Sequence, residues 1–169
     1  MTEPRSGIHP TAIVEDGAQI GEDCEIGPFC HIGSRVTLGA GSRLRSHVVL
    51  AGSTTIGPNA RIFPFASIGH DPQHLKYQGE EVRLVVGANC LIREHVTMNP
   101  GTVQGRSETT VGDNCSFFTG AHVAHDCVLG TNVTLINNVM LAGHCVIGDF
   151  ATIAGGSGIH QFTRVGHHA

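Results

Sequence analysis

The chain has 169 residues, 40% of them hydrophobic but only 5% aromatic and 14% charged, which suits one domain whose core is not built from large rings. Its 23 glycines and 7 prolines leave no stretch free of both longer than 12 residues, excluding long helices and coiled coils, and no run approaches the ~18 apolar residues of a membrane span. Ten basic against fourteen acidic residues give a net charge of −4 with no basic block, so nucleic acid is not an expected partner, and the polar start, without an apolar signal segment, makes the cytoplasm the expected location.

Read in chain order, every sixth residue from Ile8 is aliphatic: Ile8, Val14, Ile20, Ile26, Ile32, Leu38, Leu44, Leu50, Ile56, Ile62 and Ile68. The eighteen residues from Ile68 to Val86 break this pattern, because His74 and Glu80 stand where core residues would fall. A loop over 70–85, carrying Lys76 and Tyr77, is therefore expected to leave the repeat. The phase resumes at Val86, Ile92 and Met98, fails again where Gln104 and Thr110 would be inward, and continues one residue out of step from Val111 and Phe117 to Val165. A second, shorter loop over 103–110 is expected there. Long loops on a rigid scaffold often hold binding groups.

Outside the hexad opened by Ile68, the fifth position of every hexad is Ala, Cys, Ser, Thr or Val, and the fourth is Gly, Asn, Asp or His in 16 of 23. A small residue two positions before a large one shares its face of a strand, and residues that tolerate positive φ mark a corner. Strand and corner alternating at period six predict an all-β solenoid, one domain over 1–169, whose coils bury their cores against their neighbours. Cys24, Cys30, Cys90, Cys115, Cys127 and Cys145 all fall in the small fifth phase, so they are expected to be packed, reduced thiols and not metal ligands.

None of the twelve histidines occupies an inward phase. His9, His31, His47 and His95 are scattered and read as solvated corner residues. The hexads opening at Val123, Leu141 and Ile159 are 18 residues apart and put His125, His144 and His160 on one edge, with His122 ending the strand before it. Asp126 and His144 share the fourth phase, one coil apart, about 5 Å by strand spacing. Imidazoles and a carboxylate in that arrangement point to general acid–base work or to metal binding.

The hexads with aliphatic then glycine, such as Ile20-Gly21, Ile26-Gly27 and Ile147-Gly148, resemble the hexapeptide-repeat family. Its fold is a left-handed parallel β-helix, a triangular prism of 18 residues per coil; the handedness comes from the resemblance, since the general crossover rule is right-handed. The runs Ala121-His122-Val123-Ala124-His125-Asp126-Cys127 and Ile159-His160-Gln161-Phe162 are similar to those of the acyl-carrier-protein-dependent UDP-N-acetylglucosamine O-acyltransferases of lipid A biosynthesis. So are the loop Gln73 to Glu80 and the stretch Ile92 to Asn99.

That resemblance implies transfer of a (R)-3-hydroxyacyl group from acyl carrier protein to the sugar 3-position, in a homotrimer with sites between subunits and without a metal or organic cofactor. His125 would be the general base, Asp126 would orient it, and the Gly143 N–H would hold the oxyanion. Gln73, His74, Lys76, His122, His144, His160 and Gln161 would bind substrate. His74 stands where family members commonly carry an acidic residue, which leaves the 3-hydroxyl or 3-amino acceptor open, and Pro100 stands where arginine is common. The family's remaining coils and C-terminal helical domain have no counterpart, so a truncated chain is expected and the acyl length is not readable. Three other readings of the scaffold are an inactive truncated trimer, an acetyl-coenzyme A-dependent transferase, disfavoured by the Lys-Tyr loop and the His-Gln-Phe run, and a trimeric zinc carbonic anhydrase, disfavoured because no third histidine completes the His122–His125 spacing.

Overall fold

The computed structural model describes residues 7–169; the first six residues of the expected 1–169 domain lie outside it. The chain winds as a left-handed parallel β-helix with three eight-stranded faces, each strand pairing with those one coil below and above. The first sheet starts at Gly7–Ile8, the second at Ile13–Val14 and the third at Gln19–Ile20. Partners in uninterrupted coils are 18 residues apart, as Ile8 is from Ile26.

Two inward phases fill the prism. In the second sheet Ile32, Leu50, Ile68, Met98, Val123 and Leu141 are wholly buried, interleaved with the small Cys30, Val48, Ala66, Val96, Ala121 and Val139. Each large aliphatic residue gains about 1.5–3 kcal/mol from burial, so the long column carries the fold. The ends gain less: Ile8 is half exposed, and Val14 and Val165 are only partly buried. All six cysteines are buried and unpaired.

The fourth phase is the corner. Asp23, Asn59, Asn89, Asn114 and Asn138 have φ of 55 to 59°, the left-handed region. Phenylalanine adopts it too, at Phe29, Phe65, Phe150 and Phe162, which the composition of the phase did not suggest. Stacking along the edge offsets the strain. Phe29, His47, Phe65 and His95 form a ladder with centroids 5.1, 5.1 and 5.2 Å apart.

The third phase has a different property. Among the described residues no third-position N–H donates to a backbone carbonyl, because the coil-to-coil bonds use the strand and the residues beside it. Proline is accordingly accepted there, at Pro10, Pro28, Pro58, Pro64 and Pro100.

Both excursions leave after a strand of the second sheet and return into the third. The first runs between Ser67–Ile68 and Arg83–Val86, so it occupies 69–82, and 83–85, expected in the loop, already form a strand with Leu84 buried. The second runs between Thr97–Met98 and Glu108–Val111, so it occupies 99–107, not 103–110. Thr110 is in that strand, and Thr109 beside it supplies the inward side chain. The bounds differ because Ser53–Ile56, Arg83–Val86 and Glu108–Val111 pair over four residues where most strands pair over two, so the returning strands already include Leu84 and Thr109, which continue the inward phase of Thr54 two residues before the large one. Among the described residues no helix is long and apolar enough to cross a membrane.

Candidate active site

The corner that carries both excursions also carries His125. The strand His122–Val123 belongs to the second sheet, Val128–Leu129 to the third, and 124–127 turn between them with Asp126 at φ 61°. In a regular coil the fourth-phase N–H bonds the carbonyl below, as His144 does to His125 at 3.0 Å. Beneath Asp126 lies the second excursion, and its N–H donates instead to Thr109 Oγ1 at 2.8 Å.

The Asp126 carboxylate is buried and fully engaged. Oδ1 accepts the N–H groups of Thr102 at 3.0 Å and Arg106 at 2.6 Å. Oδ2 accepts the Thr102 hydroxyl at 2.7 Å and faces His125 Nδ1 at 2.8 Å. Burial alone would raise this carboxyl; the bonds from Thr102, His125 and Arg106 outweigh it and hold the group below its ordinary value. An ionised carboxylate with three other donors takes its fourth from His125, so the proton sits on Nδ1 and the lone pair on Nε2.

Glycine at 143 is required by this ring. A Cβ there would lie 2.5 Å from His125 Cε1 and 2.8 Å from Nε2. The Gly143 N–H is in the third phase and makes no hydrogen bond among the described residues.

Other imidazoles enclose the pair. His74, from the first excursion, meets His125 edge-on at 5.0 Å, and His144 does so from the next coil at 5.1 Å. His144 lies 3.8 Å from Asp126 Oδ2 and stacks on Phe162 at 4.6 Å. Burial pushes the His144 imidazole below its ordinary value; Asp126 opposes this, and His125 and His74 reinforce it. His122 bonds Thr97 Oγ1 at 2.7 Å and is pushed down by burial and then by His125. The outward corner expected for His125 is a correction: the residue is only 4% exposed, because His74, His144 and the second excursion cover a phase that elsewhere meets water.

The remaining candidates form a separate rim. His122 and the exposed His160 line a shallow cavity of about 420 Å³ floored by Met140, Leu141 and Ile159. Gln161 is exposed, its carbonyl 3.3 Å from His160 Nδ1. Gln73 and Lys76 are exposed on the first excursion and are not drawn into the cluster. That loop is tied down by Asn99 Nδ2, which donates to the carbonyls of His70 and Asp71 at 3.2 Å each. A larger cavity, about 990 Å³, lies at the first corner among Pro28, Arg45, Phe63 and Glu94, but among the described residues holds no hydrogen-bonded imidazole–carboxylate pair.

Among the described residues, His125, Asp126 and His144 bring ligand atoms within 4.8 Å of one another, near enough to share a metal ion. All four acceptor positions of Asp126 are filled, so a cation would have to displace those bonds. The sequence reading did not single out Thr102, Arg106 or Thr109, and it quoted Thr97, Asn99 and Phe162 only within longer runs, without a role. Thr102 was hidden by its phase, where a small residue reads as packing.

Comparison with known proteins bears on the family and the fold. The family model described as bacterial transferase hexapeptide (six repeats) matches residues 17–52. An acyl-[acyl-carrier-protein]–UDP-N-acetylglucosamine O-acyltransferase of Rhizobium johnstonii is 57% identical over 96% of this chain, which spans 60% of that protein. A solved UDP-N-acetylglucosamine acyltransferase superposes with a TM-score of 0.94 at 47% identity, over 95% of this chain and 62% of that one. The UDP-N-acetylglucosamine acyltransferase of Bacteroides fragilis gives 0.82 at 34% identity, over 94% of this chain and 68% of its own. The chain thus spans about three-fifths of the length of the curated relatives it matches.

Proposed function

The chain belongs to the UDP-N-acetylglucosamine acyltransferase family of hexapeptide-repeat proteins, and from that premise we propose that it transfers a (R)-3-hydroxyacyl group from acyl carrier protein to the 3-position of UDP-N-acetylglucosamine, the opening reaction of lipid A biosynthesis. One observation carries the reading: an imidazole whose Nδ1 is bound to a buried carboxylate presents its Nε2 lone pair beside a glycine with an unused N–H.

A sugar hydroxyl is too weak an acid to ionise at neutral pH. A fixed imidazole that removes its proton as it attacks contributes about 10²–10⁴-fold. The proton passes from the hydroxyl to His125 Nε2, the oxygen adds to the thioester carbon, and Asp126 stabilises the resulting imidazolium. The Gly143 N–H receives the negative charge that develops on the carbonyl oxygen, a role worth about 10²–10³-fold in other acyl transfers. Collapse expels the carrier thiolate, which recovers the proton from His125.

His122, His144, His160 and Gln161 bind the acceptor sugar and acyl chain around this centre, and His74, Gln73 and Lys76 reach the nucleotide-sugar from the first excursion. The exposed Met140 and Phe162 beside these residues support a homotrimer in which a neighbouring subunit completes the site. Six unpaired cysteines support the cytoplasm as its location, since reducing compartments keep thiols free.

The test is direct transfer from 3-hydroxyacyl carrier protein to UDP-N-acetylglucosamine, followed by mass spectrometry, in a chain extended to the length of its relatives. An O-acylated sugar nucleotide is expected. No product with either the 3-hydroxyl or the 3-amino sugar would reject the reading.

A further inference from the structure

The second excursion is a compact turn organised on one residue. Thr102 is wholly buried, and its carbonyl accepts the N–H groups of Gly105 and Ser107, each at 2.9 Å. Its phase holds inert filler in neighbouring hexads, such as Val96 and Ala121. Here the residue grips both oxygens of Asp126, Oδ2 through its hydroxyl and Oδ1 through its N–H. Gly105 passes so close that a Cβ would fall 2.4–2.5 Å from the carboxyl atoms.

We propose that Thr102 is a positioning residue for the transfer reaction, holding the Asp126 carboxylate in the one rotamer that keeps the His125 proton on Nδ1 and its lone pair on Nε2. The inference rests on the reading of His125 as the general base. Its physical content is that Oδ2 is shared between the hydroxyl and the imidazole. Without the hydroxyl, a buried acceptor loses a donor and the carboxylate is free to turn away from the ring. The turn at 99–107 is then a clamp built into the coil beneath the site, and Gly105 is what lets it close.

Three variants test this: Thr102→Val, which removes the hydroxyl at nearly constant shape, Thr102→Ser, which keeps it, and Gly105→Ala, which pushes on the carboxylate from outside. Steady-state kinetics in the extended chain are paired with ¹⁵N spectra of the His125 ring in the present chain at fixed pH. Thr102→Val should lower kcat about tenfold with KM changed less than about twofold, while Thr102→Ser stays within about twofold of the parent. Gly105→Ala should lose at least as much kcat as Thr102→Val, so the clamp remains testable if the valine variant does not fold. The parent ring should show a protonated Nδ1 and an unprotonated Nε2, and Thr102→Val a mixture of tautomers. Parental kcat and spectrum in Thr102→Val, or equal damage from serine and valine, would overturn the proposal. If the parent itself transfers nothing, the base assignment fails separately, and the ring spectra alone decide the role of Thr102.

Discussion

Histidines stack along the first two corners of the prism, and among the described residues only the second of these holds an imidazole against a buried carboxylate. At the first corner His47 and His95 alternate with Phe29 and Phe65 in a ladder that lies open to solvent, and among the described residues no carboxylate bonds either imidazole. At the second corner His125 and His144 occupy neighbouring coils of the same repeat, yet His125 is buried against Asp126 and enclosed by His74. The repeat alone therefore does not make a site. Both insertions fall on the second corner; the first brings an imidazole and the second clamps the carboxylate.

The largest expected contrast is between these columns. His125→Ala should reduce acyl transfer by about 10²–10⁴-fold, measured as initial rates in the extended chain, while His47→Ala leaves it unchanged. Gly143→Ala should come next, because the added methyl displaces the His125 ring and disturbs the neighbouring N–H; a loss of about 10²-fold is expected, mostly in kcat. His144→Ala should act chiefly on KM, since this ring borders the pair without bonding the reacting nitrogen.

The smallest effect is on stability. His122 and His144 are held below the ordinary imidazole value of about 6.5 in the folded chain, so the unfolded chain takes up protons first as the pH falls. Their contribution is complete above about pH 6.5 and is lost below it as the pH falls through the folded values. Thermal unfolding should show a Tm that declines from pH 7 to pH 5, and His122→Gln should flatten that decline.

The solenoid was legible because period six fixes both inward phases, and a large residue such as Ile68 or Leu141 cannot face outward at that spacing. The histidine edge was legible for the same reason, as residues 18 apart must stack. Burial of His125 was not, because it depends on excursions whose residues obey no phase. Nor was Thr102, whose hydroxyl acts from a position where the repeat explains any small residue as filler. The unused N–H of Gly143 had a visible signal, namely the prolines of the third phase, which mark where the ladder needs no donor.

The most direct test of the buried pair is the turnover of the double variant His125→Ala/Asp126→Asn beside each single variant. If Asp126 acts only by holding and stabilising His125, the double variant loses no more activity than His125→Ala alone, within about twofold. A double variant whose loss is the product of the two single losses would contradict that coupling and with it the catalytic assignment of this corner.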